Sequence, residues 1–259
     1  MTQPQSKRSL EGDRSLGKIL LSCASWNIHR AKGTDDQIAP SRVVDAIESG
    51  ITPHRPDVLA LQEADGDCPP HARIVDVEKI AQITGLDYIH TTADLRWGPD
   101  SDGFLGTILF LHPRLKRMHA DVIDLPGHCH RGAVAVEIEI DGRMCRIMSA
   151  HLSLSQPLRI VQMRIVGQYL LRRPKMQTIF IGDFNEWRPW GGMMFTKRIV
   201  GTSFRGPAKA TFPTRFPLLP LDRVLTDGDG RVESMSVLNL PETNLASDHR
   251  PILGKVTVA

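Results

Sequence analysis

AVAVEIEIDGRMCRIMSAHL, residues 133 to 152, decides how the rest of the chain is read. Val134, Val136, Ile138 and Ile140 alternate with Ala133, Ala135, Glu137 and Glu139, the period of a strand with two unlike faces. Asp141-Gly142-Arg143 comes next, and Asp-Gly supplies the positive φ angles of a tight turn. Met144 to Leu152 then returns beside the first run as its antiparallel neighbour. A chain with this hairpin is not a purely parallel doubly wound sheet, although strands and helices interleave along its length.

Outward from the hairpin, Ile19 to Trp26, Asp57 to Leu61, Thr107 to Leu111 and Thr178 to Ile181 read as short buried strands. Three helices are expected between strands. Ser41 caps Arg42 to Glu48, which Gly50 stops, and Val75 to Thr84 ends at Gly85. The longest runs from Pro157 to Arg173, with Leu158, Val161, Ile165 and Tyr169 as its core stripe. Trp187 to Phe195 reads as a helix packing back on the sheet, with an apolar wall for a lipid or a stacking surface for a base as the alternatives, and Phe204 to Leu221 as a long loop bordering a cleft. The fold class that fits is α/β: two mixed sheets packed face to face with helices outside.

Composition sets the limits. The chain has 259 residues, 41% of them hydrophobic, enough for one core, so residues 18–259 are expected to form a single domain behind a frayed tail over 1–17. The formal net charge of +3 falls short of a protein whose affinity comes mainly from phosphate neutralisation, so a nucleic-acid partner is permitted but not demanded. Four scattered cysteines without a CxxC pair point to a reducing compartment. The polar N-terminal stretch lacks the apolar run of a signal peptide or a membrane span, and the expected location is cytoplasmic. No obligatory protein partner is evident.

Polar groups cluster where strands end: Asn27 in SWNIH, Glu63 in LALQE, His151 in MSAHL, Asp183 and Asn185 in GDFN, Asp222 in LDRVL, and Asp248 and His249 in SDHRPIL. Each alone has a structural explanation as a turn, cap or satisfied core group. Burying all of them beside apolar strands costs a few kcal/mol each unless they serve one another or a ligand. Carboxylate and amide oxygens without sulfur suit a hard cation, Mg²⁺ or Mn²⁺, and not zinc. Two histidines and two amides remain to donate to a phosphate, and a free Asp to orient water, so the inventory points to phosphoester hydrolysis.

SWNIH, LQE, SAHL, GDFN, LDRV and SDHRP, in that order, resemble the hallmark segments of the endonuclease/exonuclease/phosphatase superfamily. The resemblance covers nearly the whole chain after the first ~18 residues. It implies a four-layered α/β/β/α sandwich and a metal-dependent hydrolase acting on a phosphodiester or phosphomonoester in a small molecule, lipid head group or nucleic acid; the alternatives are a DNA or RNA endonuclease or exonuclease and a non-catalytic phosphate-binding module on the same scaffold. Residue by residue it implies Glu63 as principal metal ligand with Asn27 beside it and Asp248 near the metal or its waters. Asp183 would orient or deprotonate the attacking water and Asn185 would hydrogen-bond the phosphate. His249, held by Asp222, would contact the scissile phosphate, and His151 would stabilise the pentacovalent state or assist the leaving group. The chain departs from the abasic-site branch, which has an Asp where His29 stands and a Tyr-containing segment in place of Ser149-Ala150-His151. Gly106-Thr107-Ile108 replaces a common Gly-Asn-Ala segment.

Gly127-His128-Cys129-His130-Arg131-Gly132 looks metal-like, but its ligands are too crowded to close on one zinc. Arg131, His29 and Arg30 are candidate substrate-phosphate contacts at the rim.

Overall fold

The computed structural model describes residues 19–127 and 131–259, so the expected tail and the His128-Cys129-His130 stretch lie outside the described residues. In chain order the elements are β1 (Ile19–Asn27), α1 (Pro40–Ala46), β2 (Val58–Gln62), α2 (Val77–Thr84), β3 (Asp87–Tyr88), β4 (Ile108–Leu111), β5 (Lys116–Leu125), β6 (Arg131–Ile140) and β7 (Arg143–His151). Then follow α3 (Gln156–Arg172), β8 (Gln177–Asp183), α4 (Lys197–Val200), β9 (Asp222–Thr226), β10 (Arg231–Val237), α5 (Pro241–Ala246) and β11 (Ile252–Val258). One sheet runs β10-β11-β1-β2-β4-β3, the other β5-β6-β7-β8-β9. Each has a single parallel pair, β1 with β2 and β7 with β8, and each pair is bridged by a helical crossover. None of the described helices is long and apolar enough to cross a membrane.

The sheets pack face to face. Leu21, Cys23, Val58, Ala60, Val134, Val136, Ile147, Ile179, Ile181 and Val224 fill the space between them. Trp26, Leu59, Leu61 and Phe110 turn the other way, onto α1, α2 and α5. Met148, Phe180, Phe184 and Leu225 face α3 and α4. The result is the four-layered α/β/β/α sandwich that the family resemblance implies, with the quoted hairpin at the centre of one sheet. Asp141 and Gly142 take φ of 48° and 77°, the conformation the tight turn needs.

Four local expectations are corrected. Pro40, not Ser41, opens α1, and Ser41 makes no capping bond. Gly50 does not stop the segment, which continues as wide and tight turns to His54. A Cβ at Gly50 would sit 3.1 Å from Leu240 and Thr243, so this glycine allows α5 to approach closely. The buried face of α3 is Arg159, Gln162, Met163, Val166 and Gly167, while Val161 is exposed. The two polar residues on that face are buried because they tie loops: Gln162 donates to the Pro126 carbonyl and accepts from Ser153 N–H, and Arg159 donates to the carbonyls of Ser153 and Leu154. Trp187 to Phe195 forms turns instead of a helix; Met194 and Phe195 are buried, Trp187 and Trp190 exposed.

Two tests follow from this packing. Gly182 has φ of 140°, and a Cβ there would lie 2.1 Å from the Ala150 carbonyl oxygen of the neighbouring strand. Gly182→Ala is expected to cost about 2–4 kcal/mol, read from urea unfolding, since backbone and not a yielding side chain must move. An unchanged midpoint would show that β7 and β8 part freely. His90 is fully buried, with Nδ1 bonded to the Leu95 carbonyl and Nε2 accepting from Leu109 N–H. Burial lowers its pKa from 6.5 to about 4, so the unfolded chain binds the extra proton between those values. Stability present above pH 6.5 is therefore lost as pH falls toward 4, by on the order of 3 kcal/mol. His90→Gln, which keeps a donor and an acceptor, is expected to shrink the difference between urea midpoints at pH 7 and pH 4.5. An equal difference in parent and variant would place the acid sensitivity elsewhere.

Candidate active site

Along the facing surfaces of the sheets, alternate residues run from apolar to polar toward one end: Leu21-Cys23-Ser25-Asn27 in β1, Val58-Ala60-Gln62 in β2, Cys145-Ile147-Ser149-His151 in β7 and Ile179-Ile181-Asp183 in β8. β9 runs antiparallel to β8 and pairs Asp222 with Asp183, so it contributes the same sequence in reverse. Between core and site lies a buried polar layer in which Gln62 Nε2 donates to Ser25 Oγ at 3.1 Å and to Ser149 Oγ at 3.2 Å. Gln62 thus pairs Ser25 of its own sheet with Ser149 of the opposite one, and the hydroxyls that end the apolar rows are satisfied. Phe184, of opposite parity, enters the helix-side core with its ring edge-on to Phe180 at 4.8 Å.

Asp183 is the hub. Its Oδ2 accepts from Asn27 Nδ2 at 2.9 Å, its Oδ1 from Asn185 N–H at 2.9 Å, and Oδ2 lies 3.5 Å from His151 Nε2 and 3.8 Å from His249 Nε2. Burial raises its pKa to about 6 despite the opposing pull of His249. Asn185 is buried and donates to the Leu152 carbonyl at 2.8 Å, which fixes its amide on the strand that delivers His151.

His249 Nδ1 meets Asp222 Oδ2 at 2.8 Å, and Thr211 Oγ1 donates to the same oxygen. Burial alone lowers the imidazole pKa, but Asp222 and Asp183 outweigh it and bring it to about 10, so His249 is an imidazolium at neutral pH. His151 goes the other way: burial first, then the cationic Arg131, His249 and Arg30, keep it well below the usual imidazole range and neutral.

Glu63 stands beside this group, with Oε1 3.3 Å from Asn27 Nδ2 and 3.7 Å from His151 Nε2. Asn27 therefore bridges the two carboxylates with its nitrogen, while its oxygen accepts from His29 N–H. Arg30 Nη1 is 2.7 Å from Glu63 Oε2 and Nη2 is 2.8 Å from Asp67. Arg131 lines the same pocket as Arg30, Glu63 and His151. Asp248 lies apart, 3.5 Å from His29 Nδ1, and among the described residues no hydrogen bond or ion pair joins it to Glu63. The expected residues are thus brought to one end of the sandwich, with Asp248 and His29 as a separate pair at its edge.

The backbone carries signals that residue types do not. His29, Arg30 and Ala31 take φ of 49°, 52° and 58°, Glu63 takes 56° and Asn185 50°, all in the left-handed region that costs a non-glycine residue about 1–3 kcal/mol. Strain of this kind persists where the surroundings over-determine a functional conformation. Several supporting residues also escaped sequence reasoning. Trp26 Nε1 donates to the His249 carbonyl, and Ser247 Oγ donates to the Asn27 carbonyl while accepting from His249 N–H. Glu186, fully buried, takes three bonds from Arg188, two from the guanidinium at 2.7 and 2.8 Å and one from the backbone N–H at 3.1 Å, and lies 3.6 Å from Arg159. Arg223 donates to the Glu186 and Arg188 carbonyls. The signal was present in Asp222-Arg223 and Glu186-Trp187-Arg188, cations in otherwise apolar segments.

The donor set suits a hard cation. Glu63 Oε2, Asp248 Oδ1 and Asp222 Oδ1 are buried oxygens that accept no hydrogen bond, although Glu63 Oε2 is ion-paired with Arg30 and Asp248 Oδ1 faces His29, and no sulfur lies among the site residues. Asp183, Asp222 and His249 also place one ligating atom each within 4.8 Å of the others. That trio already contains its own cation, the imidazolium, as Glu63 has Arg30 beside it.

A profile described as the Endonuclease/Exonuclease/phosphatase family matches residues 24–249. The chain is 23% identical over 212 residues to the uncharacterized protein YbhP of Escherichia coli K12, covering 77% of this chain and 83% of that protein. Its fold is similar to the endonuclease/exonuclease/phosphatase from Bacteroides vulgatus, at a TM-score of 0.73 and 14% identity, covering 93% of this chain and 100% of that one. It is also similar to Danio rerio (D. rerio) TDP2 complexed with a single strand DNA product, at a TM-score of 0.66 and 19% identity, covering 92% and 98%. At these identities the structures establish shared architecture. The profile match spans both sheets and every strand that delivers a site residue, and the chain belongs to the Endonuclease/Exonuclease/phosphatase family.

Proposed function

We propose that the chain hydrolyses a phosphoester by in-line attack of water aligned by Asp183, with a divalent cation held on the Glu63 side. The observation that carries this reading is the buried array Asp222–His249–Asp183, a carboxylate and an imidazolium fixed around a second carboxylate whose pKa lies near neutrality. A base with a pKa of about 6 is mostly ionised at pH 7 yet basic enough to take a proton from water. His249, kept protonated by Asp222, donates from Nε2 to a phosphate oxygen. Asn185 keeps an amide hydrogen free beside its bond to Leu152, and neutral His151 presents Nε2 between Glu63 and Asp183. Arg30 and Arg131 supply positive charge at the pocket wall.

A bound Mg²⁺ or Mn²⁺ supplies further positive charge to the phosphate oxygens and lowers the pKa of water at the site. Glu63 would hold it, with Asp248 near the metal or its waters, and Asn27 would add its oxygen only by giving up the His29 N–H. Because the TDP2 neighbour was solved with a single strand DNA product, a nucleic-acid phosphodiester is the second reading of the substrate. A panel of DNA, RNA, phospholipids and soluble phosphomono- and diesters, with Mg²⁺ or Mn²⁺, tests both. No turnover of any of them by folded protein overturns the reading.

Glu63→Gln is expected to weaken metal affinity roughly tenfold or more, with activity partly recovered at raised Mg²⁺, because the shape stays and the charge goes. A metal titration that matches the parent removes Glu63 from the ligand set. Asp222→Asn and His249→Asn are each expected to lower kcat by about 10²–10⁴-fold, and the double variant little further, since the pair acts as a unit. Additive losses would separate them.

A further inference from the structure

Six large apolar side chains among the described residues are more than 70% exposed: Ile38 72%, Leu154 77%, Leu171 71%, Trp190 74%, Phe216 79% and Leu218 77%. Five of the six lie on loops that leave the active-site end, and only Leu171 sits elsewhere, near the C-terminus of α3. Ile38 follows β1, Leu154 follows β7, Trp190 follows β8, and Phe216 and Leu218 precede β9, so the tips surround the mouth of the site. The loops are anchored to it. Arg159 holds the Leu154 carbonyl and approaches Glu186 at 3.6 Å, and Thr214 N–H donates to the Asp248 carbonyl. The ring of Phe212 lies 4.9 Å from that of His249.

Leu152–Ser155, Trp187–Phe195 and Thr211–Leu221 contain Arg188 and Arg215 and no Asp or Glu, and Arg188 is held by the buried Glu186, so Arg215 is their exposed cation; the loop of Ile38 carries Asp35 and Asp36 and is left out of the docking face. Exposed aliphatic and aromatic tips with the exposed Arg215 beside Phe216 suit a bilayer, where apolar side chains enter among acyl chains, Trp sits at headgroup depth and a cation meets anionic lipid. Single-stranded nucleic acid fits less well: Leu154, Leu218 and Ile38 offer no flat face for stacking, and one exposed arginine does not track a phosphate backbone. A protein partner or a second copy seated on all five tips would cover the mouth. A membrane covers it with phosphates.

We propose that the active-site end of the chain docks on an anionic phospholipid bilayer through Leu154, Trp190, Phe216 and Leu218, and that a membrane phospholipid presents its phosphodiester to the site. The second half rests on the phosphoester reading above; the docking does not. The full chain, without metal, is sedimented with vesicles of phosphatidylcholine alone and of phosphatidylcholine with phosphatidylglycerol. Tryptophan emission is recorded in parallel, since Trp190 is expected to shift to the blue on binding. Parent protein should prefer the anionic vesicles. The triple variant Trp190→Ser, Phe216→Ser, Leu218→Ser should bind at least about tenfold more weakly, and Leu171→Ser as well as the parent, with all three showing the parent's circular dichroism and thermal midpoint. Absence of sedimentation with either vesicle, equal binding by the triple variant, or a loss confined to single-stranded DNA binding would each overturn the docking. Turnover of soluble bis(4-nitrophenyl) phosphate with Mg²⁺ separates the two readings. A parent that cleaves it but ignores vesicles keeps its chemistry and loses its membrane. A parent that binds vesicles through these tips yet cleaves neither this diester nor lipid keeps the docking and loses the chemistry.

Discussion

The two-residue period of the facing strands is the constraint on which the rest depends. Because Ile179 and Ile181 must point into the space between the sheets, Asp183 points there too, and the same parity carries Leu21 and Cys23 to Asn27 and Cys145 and Ile147 to His151. Slipping any of these strands by one residue would turn its site residue, together with the apolar residues of the intersheet row, into a helix-side core. Apolar packing therefore enforces the register of the site, and the Ser25–Gln62–Ser149 layer ends the greasy region without leaving an unpaired group.

Electrostatics decides what the assembled groups are. Two buried carboxylates, Asp183 and Asp222, lie on adjacent strands, an arrangement that would expel one charge were it not for the imidazolium between them. His249 and His151 face the same carboxylate from different elements and end in opposite protonation states. His249 touches two anions, whereas His151 is surrounded by Arg131, Arg30 and His249. One fixed cation and one neutral ring on either side of Asp183 give the site direction.

Much of this was legible in the chain. Asp-Gly between two alternating runs gave the hairpin and excluded a parallel sheet, and GDFN after Thr178–Ile181 showed which strand end is polar. Helix α3 was legible in extent but not in facing, because Arg159 and Gln162 look like surface residues until the loops they tie are known. Trp187 to Phe195 misled for the converse reason: apolar residues imply burial on average, and here three of the five large ones, Trp187, Trp190 and Met193, are exposed. Left-handed Glu63, Asn185 and Arg30 leave no trace in composition, since only the folded surroundings hold a non-glycine residue there.

Glu63 and Asn27 stand on one sheet, Asp183 and His151 on the other, with Asn27 reaching across at 2.9 Å. Whatever ion or phosphate occupies the space between them is a rivet through both halves of the sandwich. Unfolding must pull the rivet, so resistance to unfolding rises with the logarithm of ligand concentration, by about 2.7 kcal/mol at a hundredfold excess over Kd. A chain starved of its ligand is, by the same linkage, the one a protease opens first.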